Sequence, residues 1–80
     1  MIYGIELKEI LDKCDLSESE RVAFEDYMDS KVLRNKEVYP DCEETFGKAS
    51  SKNPILIRAR EKIVKAGQWG QIISLWYKMY

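Results

Sequence analysis

The sequence predicts an all-α fold: a small compact bundle of about four helices, near residues 4–14, 17–35, 54–66 and 69–79, with a long loop over 36–53. Two observations carry that expectation. Apolar residues recur at the i, i+3, i+4, i+7 spacing of one helix face in several stretches. Helix start and stop signals stand where those stretches begin and end. The composition agrees, since 45% apolar and 34% charged residues are the proportions of an ordinary globular chain and not of a disordered one. Eighty residues make one domain, 1–80, with no room for a second core. At that size roughly 60–65% of the unfolded surface is buried, so every amphipathic face has to be used.

The first element is set by Leu7, Ile10, Leu11 and Cys14, which share one helix face while Glu6, Glu9 and Asp12 lie on the others. The second begins at Ser17-Glu18-Ser19-Glu20, a capping box in which the Ser17 hydroxyl and the Glu20 carboxylate satisfy each other's backbone N–H groups. Its apolar stripe is Phe24, Tyr27, Met28 and Val32, and its acids precede its bases, as the helix dipole favours. From 36 to 53 the period is lost. Pro40 disfavours helix at Tyr39, and Gly47, Ser50 and Ser51 read as loop residues. A loop that long is unusual in a compact domain, so a short helical turn and core anchors at Val38, Tyr39 and Phe46 are expected within it. Asp41-Cys42-Glu43-Glu44 reads as a solvated acidic loop.

Asn53-Pro54 marks the third helix, with Asn as cap and Pro in the first turn, and Gly67 ends it. Periodicity decides whether the chain turns there. At about 100° per residue the apolar centre of 55–66 lies near Leu56, Ala59 and Ile63, whereas Trp69, Ile72, Ile73, Trp76 and Tyr80 lie on a face rotated by roughly 130–150°. One straight helix would aim its halves at different neighbours, so a break at Gly67–Gly70 is expected. The last segment carries an apolar arc of roughly 200°, which predicts a core helix with Trp69, Ile72, Ile73 and Trp76 buried and Tyr77 and Tyr80 at the edge.

The residue inventory limits the chemistry. There is no histidine, which removes Ser–His and Cys–His nucleophiles and histidine metal sites. No phosphate-binding glycine loop is present. Cys14 and Cys42 lack the partners of a zinc site; a disulfide between them is conceivable, but two reduced, partly buried thiols are expected. No catalytic residue, metal or cofactor is therefore predicted. The longest apolar runs are far too short for a membrane span, and the first residues lack the pattern of a signal peptide, so a cytoplasmic location is expected.

Charge is unevenly placed. Residues 1–47 hold six Lys/Arg against thirteen Asp/Glu, a net of −7, and residues 48–80 hold seven against one, a net of +6. The halves can screen each other, or the basic half can steer a charged partner. Arg58, Lys62 and Lys65 form a basic stripe at i, i+4, i+7. Exposed Tyr, Trp and Arg side chains are the usual anchors of interfaces, and Tyr77, Tyr80, Trp76, Arg58 and Arg60 supply them. The candidate partner-binding residues are Arg58, Lys62, Lys65, Tyr77 and Tyr80. The expected function is a non-catalytic protein-binding module, a regulator or inhibitor of a larger protein, with a homodimer through the C-terminal helix as a further option; the composition suits a bacterial or phage accessory protein. The alternative is nucleic-acid binding by the basic C-terminal half, because residues 55–80 resemble a helix-turn-helix in outline. That resemblance is partial: Ile63 stands where the motif has a small residue, and only Gln71, Ser74 and Lys78 could read bases.

Overall fold

In the computed structural model, residues 2–30 and 41–78 are described, apart from the side chains of Ile2 and Tyr3. They form five helices: α1 (Ile2–Asp12), α2 (Glu18–Met28), α3 (Cys42–Ser50), α4 (Pro54–Lys65) and α5 (Trp69–Lys78). No strand occurs among the described residues, and none of these helices is long and apolar enough to cross a membrane. The all-α class holds, and the helix count is five where about four were expected.

The extra helix is α3, which lies inside the predicted loop. Asp41 caps it, its side chain accepting the Glu44 N–H at 2.8 Å. Cys42, Thr45, Phe46 and Ser50 then recur at helical spacing and are all buried. Glu43 and Glu44 stand in the first turn and Lys48 in the last, so the dipole is complemented at both ends. The stretch read as a solvated acidic loop is thus the first turn of a packed helix, with Cys42 in the core. Phe46 is the anchor the sequence predicts; Val38 and Tyr39 lie outside the described residues.

Helix α2 begins as expected, with both hydrogen bonds of the capping box formed. Its regular α-helix ends at Met28. Asp29 and Ser30 form a π-helical turn, where the Ser30 hydroxyl donates to the Tyr27 carbonyl at 3.1 Å and competes with the regular backbone ladder. Positions 31–35 of the predicted helix lie outside the described residues. Helix α1 runs two residues ahead of the predicted 4–14 at each end.

The break after α4 is present. Gly67 adopts φ +75°, a left-handed conformation that suits glycine. The Gly67 N–H donates to the Val64 carbonyl and the Gln68 N–H to the Ile63 carbonyl, the paired bonds of a Schellman motif that satisfy the last carbonyls of the helix. At its start, Asn53 accepts the Ile55 N–H at 3.1 Å. The two helices so separated face different neighbours, with α4 lying chiefly on α2 and α5 on α1. Helix α3 wedges against both α4 and α5.

The core joins Leu7 and Leu11 of α1, Phe24 and Met28 of α2, Phe46 of α3, Leu56, Ala59 and Ile63 of α4, and Ile72, Leu75 and Trp76 of α5. Trp69 and Ile73, expected to be buried, are only partly so, and Leu75 takes their place. Because α1 covers the Leu75 side of α5, the buried arc is shifted toward that residue. Both cysteines are free thiols.

Candidate protein interface

Helix α4 carries most of the residues that matter for a surface, and its faces sort by angle. At about 100° per residue, Leu56, Ala59 and Ile63 centre the buried side. Arg58 and Lys65 fall nearly opposite and are exposed. Lys62 falls on the flank toward α2, and Ile57 and Val64 fall on the flank toward α3, with Arg60 between them and the core. The basic stripe of the sequence is therefore split. Arg58 and Lys65 remain on an outer ridge and are exposed, whereas the Lys62 ammonium lies 2.7 Å from the Glu20 carboxylate.

That carboxylate is buried, its side chain only 7% exposed. It accepts hydrogen bonds from Lys62 and from the Ser17 N–H, and these hold its pKa down from 4.5 to about 2. Lys62 thus joins α4 to the start of α2. Tyr77 is about half exposed, but its hydroxyl accepts the Cys42 N–H at 3.2 Å and ties the end of α5 to the start of α3. Tyr80 lies outside the described residues.

On the α3 flank the exposed apolar residues Ile57 and Val64, 43% and 50% accessible, border a groove of about 340 Å³ lined also by Phe46, Ser50, Arg60 and Glu61. Arg60 is held over its inner wall. Its guanidinium lies 5.7 Å from the centroid of the Phe46 ring and 5.2 Å from that of Trp69, both within cation–π range. Glu43 accepts a 2.6 Å hydrogen bond from the Trp69 indole N–H, and its other oxygen stands 3.7 Å from Arg60. Phe46 and Trp69 themselves meet edge to face at 5.2 Å. An arginine, the Phe46 ring and an exposed aliphatic pair thus line one concave surface, with the Trp69 ring against Arg60. The sequence signal for it was Ile57 and Val64, seven apart and off the core stripe, but the opposite wall could be seen only with α3 in place.

Other surfaces offer different chemistry. A polar cleft of about 390 Å³ between α1 and α5 is lined by Glu6, Glu9, Gln71, Ser74 and Lys78, among others, with Lys78 paired to Glu6 at 2.7 Å. The polar face of α5 that would read bases is therefore bordered by two carboxylates. Burial, with help from the nearby carboxylates Glu43 and Asp41, pushes the Cys42 thiol up to about 12, and burial also raises Cys14. Neither thiol is activated as a nucleophile. No group of three acidic, thiol or imidazole side chains is placed to hold a metal among the described residues.

Comparison with protein-family models, with curated proteins and with solved structures finds no match to this chain.

Proposed function

We propose that the chain is a non-catalytic protein-binding module that regulates or inhibits a larger protein, and that it does so through the groove between α3 and α4. The observation that carries this reading is the exposed pair Ile57 and Val64 beside Arg60, whose guanidinium lies over the Phe46 and Trp69 rings. A helix in a small domain normally turns its large aliphatic residues inward. Two of them left outward, two turns apart on the rim of one groove and next to an arginine and aromatic rings, match the composition of an interface core. Arg58 and Lys65 would then serve at the rim, where charge governs the rate of encounter more than the final affinity. Tyr77 is less suited to the role first given it, because its hydroxyl is engaged within the fold.

Nucleic-acid binding is the competing reading. It draws support from the basic outer ridge of α4, and the carboxylates Glu6 and Glu9 beside the polar face of α5 weigh against it, since they would oppose phosphates. Affinity capture from the source cell with wild-type chain and with the double variant Ile57→Glu, Val64→Glu separates the two. Both positions are exposed, so the variant keeps its fold. The protein reading requires a protein retained by wild type and lost by the variant, and retention unaffected by the substitutions removes it. Titration with labelled DNA and RNA at low and physiological salt is the second arm, where tight binding that falls steeply with salt supports the nucleic-acid reading.

A further inference from the structure

We infer that the partner element received by the α3–α4 groove is an acidic amphipathic helix, whose apolar residues seat over Phe46 between Ile57 and Val64 and whose carboxylate closes on Arg60. This rests on the protein-binding reading above and adds the chemistry of the partner.

Arg60 is the first ground. A guanidinium offers five donors in a planar fork whose geometry matches a carboxylate. Here the guanidinium lies within cation–π range of two rings, and the nearest carboxylate oxygen, on Glu43, stands at 3.7 Å, beyond hydrogen-bond reach. No described residue accepts a hydrogen bond from it, and its side chain is 44% exposed. An arginine already oriented, with its donors unused by protein, loses little freedom on meeting an incoming carboxylate.

Charge around the groove is the second ground. Lys48, Lys62 and Lys78 are each paired with a carboxylate of the chain, Glu44, Glu20 and Glu6. Arg58 and Lys65 on the ridge of α4, and Lys52 in the turn before it, are exposed and have no ion-pair partner among the described residues. The surplus positive charge of the second half of the chain is therefore concentrated beside the groove. Glu61 is the one acid of the lining. It calls for a cation or hydrogen-bond donor at one point of the incoming helix and so selects its register.

Spacing is the third ground. Ile57 and Val64 stand two turns apart on α4, about 10.5 Å along the axis, the separation of anchors at i and i+7 on a helix laid beside it.

The test is fluorescence anisotropy of the full chain with a labelled probe helix of about 18 residues, long enough to hold helix once bound. The probe carries leucines at i, i+3, i+4 and i+7 with glutamates on the flanks, and its twin has every glutamate replaced by lysine. The acidic probe should bind, less tightly as salt rises, and the lysine twin should not. Arg60→Lys, which keeps the charge and removes the fork, should weaken binding by roughly tenfold or more, and Ile57→Glu should abolish it, both with unchanged circular dichroism. Equal or tighter binding of the lysine twin, or indifference to Arg60→Lys, overturns the inference. If Ile57→Glu still abolishes binding in that case, the groove remains a protein site and only the acidic partner is lost. Binding of neither probe also overturns it, and the capture experiment then decides the protein-binding reading separately. A wild-type chain that self-associates in sedimentation, and becomes monomeric on Ile57→Glu, overturns it in favour of a second copy in the groove.

Discussion

Glu20 works in two directions at once. One of its oxygens accepts the Ser17 N–H at 2.9 Å and the Lys62 ammonium at 2.7 Å, so the cap of α2 and the cross-helix bond to α4 share an atom. The first half of this was legible: a serine followed by a glutamate three positions on is a local signal. The second half was not, because Lys62 lies 42 residues away and nothing in the local pattern distinguishes it from Arg58 or Lys65. The ionic state of this one carboxylate should be visible in stability. Its pKa is depressed in the folded state, from 4.5 to about 2, so folded protein binds the proton less tightly than unfolded protein does. The stabilisation is complete above about pH 4.5 and is lost as pH falls toward 2. Urea melts across that window should show wild type weakening more steeply than Glu20→Gln, whose amide does not titrate there. Parallel curves would show that other carboxylates dominate acid unfolding.

Among the helices, boundaries are legible where signals are local and redundant and hidden where punctuation residues occur inside an element. Asn53-Pro54 and Gly67 delimit α4 because cap, proline and left-handed glycine all say the same thing. In α3 the signals conflict: Asp41 caps, the acids and Lys48 suit the dipole, but Gly47 and Ser50 read as loop. The helix forms because burial of Cys42, Thr45 and Phe46 against α4 and α5 outweighs weak propensity. The two glycines should therefore respond oppositely to alanine. Gly47 lies mid-helix on an exposed face, and an added Cβ there meets nothing within 4 Å, so Gly47→Ala should stabilise by about 0.5–1 kcal/mol. Gly67 is equally open but holds φ +75°, and Gly67→Ala should destabilise by about 1–2 kcal/mol. Thermal melts of the pair check both signs. A loss at Gly47 would mean that α3 depends on its flexibility.

For the whole molecule, the uneven charge of the sequence becomes a set of seams. Glu6–Lys78, Glu20–Lys62 and Glu43–Arg60 each join an acid of the first half to a base of the second, so the two halves do screen each other. Among the described residues, the bases of the second half left without an ion-pair partner, Lys52, Arg58 and Lys65, lie on α4 and in the turn before it, a location that composition alone could not give. The Cα radius of gyration, 11.4 Å, is close to the roughly 12 Å of a compact chain of this length. Among the seams, Glu6–Lys78 spans 72 positions at 2.7 Å, and it has a topological consequence. With α1 lying along α5, the first and last described helices are neighbours, and the order in which the helices are synthesised is separable from the packing they reach. Joining residue 80 to residue 1 through a short Gly/Ser linker and opening the circle in the exposed turn at Ser51–Lys52 would give a permuted chain beginning with α4. That permutant should recover the helical circular dichroism and a cooperative melt of the parent. Failure to do so would show that the fold requires the α3–α4 connection, the one that the new opening severs.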